Sequence, residues 1–151
     1  MNSFTLQPFT QLRTYCSAAG ASLAEPPDSP AVRVAFGNIG VAVPPQIVGY
    51  LTTFGGMADD DCDDHMLALW SLERIIAEHA GLSRGGWPFL YFGDWLISSH
   101  LYAIRLDHPD DTAVYIDYYC DHSTPPDPVA DDLLDFALLV VSEPESVGVI
   151  L

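Results

Sequence analysis

Apolar residues recur at three- and four-residue spacing through Leu6, Phe9, Leu12, Cys16 and Ala19. That period belongs to a helix with one buried face, and it predicts a helix over about 8–19. Pro8 suits its first turn and Gly20 its stop. Three prolines between Glu25 and Pro30 predict an irregular loop. From 31 to 43 the pattern shifts towards alternation: Val32, Val34 and Phe36, then Ile39, Val41 and Val43. This predicts one or two short strands turning at Gly37-Asn38. Pro44-Pro45 then opens a second helix over 45–53. Ile47, Val48, Leu51 and Phe54 form its stripe, and Gly55-Gly56 ends it.

Beyond an acidic stretch, Met66–Trp70 reads as a strand. Ser71 is placed to cap a third helix over 72–80 that stops at Gly81. Phe89–Phe92, His100–Leu106 and Thr112–Asp117 read as three strands, the last two joined by the polar turn Asp107–Asp111. Short connections favour antiparallel neighbours. A last helix is predicted over 128–141, with Asp127 as cap and Val129, Leu133, Phe136, Ala137 and Val140 facing inward. The expectation is one α+β domain spanning residues 1–151: a mainly antiparallel central sheet of about five or six strands with helices packed on it.

Charge narrows the function. Twenty-one Asp and Glu face five Lys and Arg, a formal net charge of −16, and all five cations are Arg. Nucleic acid and anionic membranes are bound through clustered cations, so neither is an expected partner. No stretch approaches the length of a membrane helix, and the N-terminus does not resemble a signal peptide. Cys16, Cys62 and Cys120 form no Cys-x-x-Cys pair, which points to free thiols in a reducing cytoplasm.

Asp59-Asp60-Asp61-Cys62-Asp63-Asp64-His65 is the densest polar segment. It departs from the calcium-loop pattern, with Asp64 where glycine belongs and Trp70 where the closing glutamate belongs. Its readings are a solvated loop, a protein contact, or a metal site using Cys62 and His65. Ser98, Ser99, His100 and Asp94 form a superficial triad. Adjacent strand residues point to opposite faces, however, and no nucleophile elbow is present. Asp117, Asp121 and His122 are a further set that can meet at a sheet end. Neither set has usable acid–base spacing, so catalysis and a cofactor are not expected. Trp87, Trp95, Tyr118 and Tyr119 fall in or near loops, where such aromatics serve as interface anchors.

Val43-Pro44-Pro45 with Tyr50-Leu51 and Gly55-Gly56, then Leu69–Glu73, then Phe89–Asp94 with Tyr102–Leu106 and Val114–Asp117, and finally Val129-Ala130 with Leu133 and Phe136 form a series of short motifs. Together they resemble the SUKH superfamily, which includes bacterial immunity proteins and fungal cell-wall-synthesis regulators. The resemblance runs over 43–141, about two-thirds of the chain, and leaves the N-terminal helix and proline-rich loop of 1–42 outside it. Val43 replaces the family's usual Leu, and Phe54 stands where Asn commonly precedes Gly-Gly. The resemblance implies an α+β fold and a non-catalytic protein that binds and neutralises a cognate toxin. Basic, nuclease-type toxins would suit the charge. A scaffold role, as in the fungal relatives, is the alternative. The expected contact surface combines Asp59, Asp60, Asp61, Asp63 and Asp64 with Trp95 and Tyr118.

Overall fold

The structure, a computed structural model, describes residues 3–149. Three helices come first: α1 (Ser3–Ala18), α2 (Ser29–Asn38) and α3 (Pro45–Thr53). Strand β1 (Leu67–Leu69) leads through α4 (Leu72–Leu82) into β2 (Phe89–Trp95). β3 (His100–Arg105), β4 (Val114–Asp117), β5 (Asp127–Ala130) and α5 (Leu133–Ser142) complete the order. The five strands form one sheet in sequence order, and every neighbour is antiparallel. The protein is therefore α+β, with a meander sheet.

Aromatic side chains join three helices to the sheet. Phe9 of α1 meets Tyr50 of α3 edge-on at 5.5 Å, and Tyr50 meets Phe92 of β2 at 5.6 Å. Phe136 of α5 packs on Phe92 and on Tyr102 of β3, at 5.5 and 5.1 Å. All five rings are buried. Removing rings of this size from water supplies about 2–3 kcal/mol each, and edge-on packing adds to that. A bulge between Tyr91 and Gly93 turns both Phe92 and Gly93 towards this core. Gly93 is also pressed against β1, where a Cβ would lie 2.9 Å from the Ala68 carbonyl oxygen.

The two sheet edges differ. The amides of Met57 and Asp63 donate to the carbonyls of Leu69 and Leu67, which covers the outside of β1. On β5, Pro128 removes a donor.

Several expectations change. Residues 31–43 hold no strand: Ser29–Asn38 is α2, capped by the Asp28 carboxylate on the Ala31 amide, with Pro30 in its first turn. Val32 and Phe36, four apart, are buried while Val34 between them is exposed. That is the helical period, and strict alternation would have buried all three. The last helix begins later than 128. Asp127–Ala130 instead pairs with β4, and the cap is Asp132, which accepts from the Asp135 amide at 2.7 Å. α1 extends ahead of Pro8, so this proline is interior rather than in the first turn. α4 runs through Gly81 to Leu82. Gly20, with φ +92°, and Gly55-Gly56, with φ +86° and +89°, do follow α1 and α3 as left-handed stops. The Ser71 hydroxyl caps α4 on the Arg74 amide.

Candidate functional site

The acidic segment follows α3 and leads into β1, and its aspartates do different work. Asp63 is buried. Its Oδ1 accepts from the amides of His65 and Leu67 at 2.9 and 3.0 Å, which fastens the loop around the start of β1. Oδ2 is buried without a partner. Burial pushes this carboxyl above its usual range, even though the two amides favour the charged form. Asp61 accepts from the Ser22 amide at 2.6 Å. The Asp64 amide donates to the Ala19 carbonyl, and its carboxylate lies over Gly20, where a Cβ would be 2.5 Å from Oδ1. Three of the five aspartates therefore hold the loop to the body. Asp59 and Asp60 are exposed, and among the described residues neither side chain hydrogen-bonds to the body.

Opposite this loop stands the β2–β3 hairpin. Between them lies a cleft of about 170 Å³, lined by Asp60, Cys62, Arg74, Asp94, Ile97 and Ser98 among others. Asp94 is buried at its floor and accepts from the Trp70 indole at 2.8 Å and from the Ser98 amide at 3.1 Å. The Arg74 guanidinium lies over Trp70, 4.7 Å from the ring centre, and reaches Asp94 at 3.5 Å. Its Nε faces Asp60 at 3.8 Å, beyond hydrogen-bonding reach. The one cation in the cleft is thus already engaged. Burial and then the charges of Asp61 and Asp63 hold the Cys62 thiol above its ordinary pKa, which makes it a poor nucleophile and a poor metal ligand.

From the cleft a row of rings crosses the same end of the sheet. The Trp95 indole donates to the His65 carbonyl at 2.9 Å and stacks on His100 at 5.3 Å. Tyr118, just after β4, meets His100 edge-on at 5.4 Å. The acidic loop, Trp95 and Tyr118 therefore do come together, linked through His65 and His100. Trp95 is half-buried and structural, and Asp61, Asp63 and Asp64 are committed to the fold. The exposed members are Asp59, Asp60 and Tyr118.

Sequence reasoning missed Leu96 and Ile97. They sit at the tip of the β2–β3 hairpin, 42% and 83% exposed, at the end of the sheet where β4 runs out into Tyr118 and Tyr119, 52% and 61% exposed. Among the described residues only Val34 and Leu138 are comparably exposed large hydrophobics. The available signal was an apolar pair in a hairpin turn, where Asn, Asp or Gly is normal.

The catalytic-looking sets do not assemble. The Ser99 hydroxyl donates to the Leu96 carbonyl, while His100 Nε2 faces the Tyr102 hydroxyl at 3.1 Å. Asp117 accepts from the Tyr91 hydroxyl at 2.6 Å and from the Tyr119 and Cys120 amides. Asp121 binds Ser123, and His122 Nε2 lies 2.6 Å from the Leu82 carbonyl oxygen, its ring stacked on Trp87. Asp117 and its neighbours thus lock the chain leaving β4 onto the sheet, and burial holds the Cys120 thiol up at about 11. Among the described residues no three His, Cys, Asp or Glu side chains converge as a metal site requires. No described helix is long and apolar enough to cross a membrane.

The fold and this end of the sheet define a small α+β protein with an acidic and apolar surface patch. No protein-family model matches the chain, and no curated protein is significantly similar to it.

Proposed function

We propose that this chain is a non-catalytic, SUKH-like protein-binding domain, a bacterial immunity protein that neutralises a basic, nuclease-type toxin in the cytoplasm. The observation that carries this reading is the patch at one end of the sheet. Exposed Tyr118, Tyr119, Leu96 and Ile97 lie at the same end of the sheet, and Ile97 lines one cleft with the exposed Asp60, which meets Arg74 Nε only at 3.8 Å. Tyrosines on a rigid frame are good interface anchors. Of the five arginines, Arg13 is bound to the Ala24 and Phe54 carbonyls, Arg74 to Asp94, and Arg105 to Asp107. The surface field is therefore strongly negative, and it steers a cationic protein towards the patch. Cytoplasmic placement is part of the same reading and is supported by three cysteines outside any disulfide.

The test begins with the neighbouring open reading frame: where it encodes a toxin domain, that domain is co-expressed with this protein. Wild-type protein is expected to restore growth. Binding should weaken steeply with salt, and Asp59→Asn with Asp60→Asn should slow association and flatten that salt dependence. No protection and no binding by the wild type would refute the immunity reading for that pair.

A further inference from the structure

Leu96, Ile97 and Ser98 all have positive φ, at 51°, 52° and 65°. Left-handed backbone is uncommon outside glycine, and for a β-branched residue such as Ile97 it is a true outlier. The three stand in succession, and the middle side chain, 83% exposed, gains little from burial. An Asn-Gly pair would make the turn without strain and without exposing apolar surface. Strain that the surrounding structure maintains at an exposed position is a pointer to function.

The tip is also rigidly supported. The Leu96 amide donates to the Met66 carbonyl at 2.9 Å and the Ser98 amide to Asp94 Oδ1 at 3.1 Å. The Ser99 amide donates to the Trp95 carbonyl at 3.0 Å. Behind it, Asp94 is itself braced by Trp70 and Arg74. An apolar knob fixed in shape before contact loses little entropy on docking. Its surroundings select the partner. Asp60 lines the same cleft as Ile97, and its side chain is 95% exposed. Anionic lipid is repelled by that charge, and two side chains are too little apolar surface to hold a protein on neutral lipid.

We propose that the Leu96–Ile97 tip is a preformed anchor that enters an apolar socket rimmed by Lys or Arg on a partner protein. This rests on the protein-binding reading above, and it makes the hairpin, not the acidic loop, the centre of the contact.

Two measurements test it without the natural partner. In the free protein, Ile97→Gly is expected to raise Tm by about 2–4 °C, because the strain is relieved. A fall in Tm would mean that the fold itself needs Ile97, and would overturn the proposal. The second is an NMR titration at low salt with a synthetic peptide of alternating Leu and Lys, and with oligolysine of equal charge. The Leu/Lys peptide should shift the amides of Leu96–Ser99, Tyr118 and Tyr119, and Ile97→Gly should weaken it about tenfold, as loss of an anchor does. Oligolysine should be indifferent to the substitution. Equal peptide affinity in the variant would overturn the proposal. So would shifts centred on the other apolar groove, about 390 Å³ between Val43-Pro44 and Leu106, or tip shifts with phosphatidylcholine vesicles. The two readings separate cleanly in the co-expression assay. A wild type that binds the peptide through the tip but protects against no toxin loses the immunity reading alone. Full protection by Ile97→Gly removes the anchor and leaves immunity standing.

Discussion

The two hairpins of the meander solve one problem with opposite chemistry. β3 and β4 are joined through Asp107-His108-Pro109-Asp110-Asp111, residues that form turns readily and tolerate water. Arg105 pairs with Asp107 at 2.6 Å, and Asp111 accepts from the Ala113 amide at 3.0 Å and from the Tyr115 hydroxyl. β2 and β3 are joined through Leu96-Ile97-Ser98-Ser99, with three left-handed residues and two exposed aliphatic chains. A turn that only reverses the chain looks like the first. The second is braced by a buried carboxylate, Asp94, and displays aliphatic side chains to water.

Removing that carboxylate should break the contrast most strongly. Asp94→Ala leaves the Trp70 indole and the Arg74 guanidinium without their buried acceptor and releases the Ser98 amide. A loss of about 3 kcal/mol is expected in denaturant unfolding, with faster amide exchange through the tip. Milder is the effect of acid at the foot of the same hairpin. Burial holds the His100 imidazole below its ordinary pKa, against the opposing pull of Asp94. The unfolded chain therefore takes up a proton first as pH falls below about 6.5. Stability is full above that value and declines on acidification. His79 is shifted the same way by burial, so the test is a difference: His100→Phe should lose less stability than wild type between pH 7 and pH 5.5. The smallest effect belongs to the polar hairpin. Asp107 is exposed and Arg105 only partly buried, and Asp107→Ala should leave the unfolding midpoint nearly unmoved, since pairs open to solvent contribute little. A clear loss there would erase the distinction between the two turns.

Much of this fold could be read locally. The α3 and α4 stripes, the Ser71 cap, the glycine stops at Gly20 and Gly55-Gly56, and the polar turn after β3 all depend on residues within about four positions of one another. Composition alone established the negative field. Where the reading failed, the deciding partners were distant. Val32, Val34 and Phe36 resemble a strand until it is known that only one side of the segment meets the core. Asp127–Ala130 resembles a helix start until β4 offers it a hydrogen-bonding edge.

The candidate site divides in the same way. The density of aspartates was visible, but not that Asp63 would be buried against β1, nor that Asp61 and Asp64 would be tied to the turn after α1. Trp95 and Tyr118 stood out as aromatics near loops. Their union through His65 and His100 depends on strand register, which sets neighbours across the sheet rather than along the chain. Leu96 and Ile97 carried a local anomaly, an apolar pair in a turn. Whether such a pair is buried or displayed is decided by what packs around it, and here only the folded chain leaves it facing water.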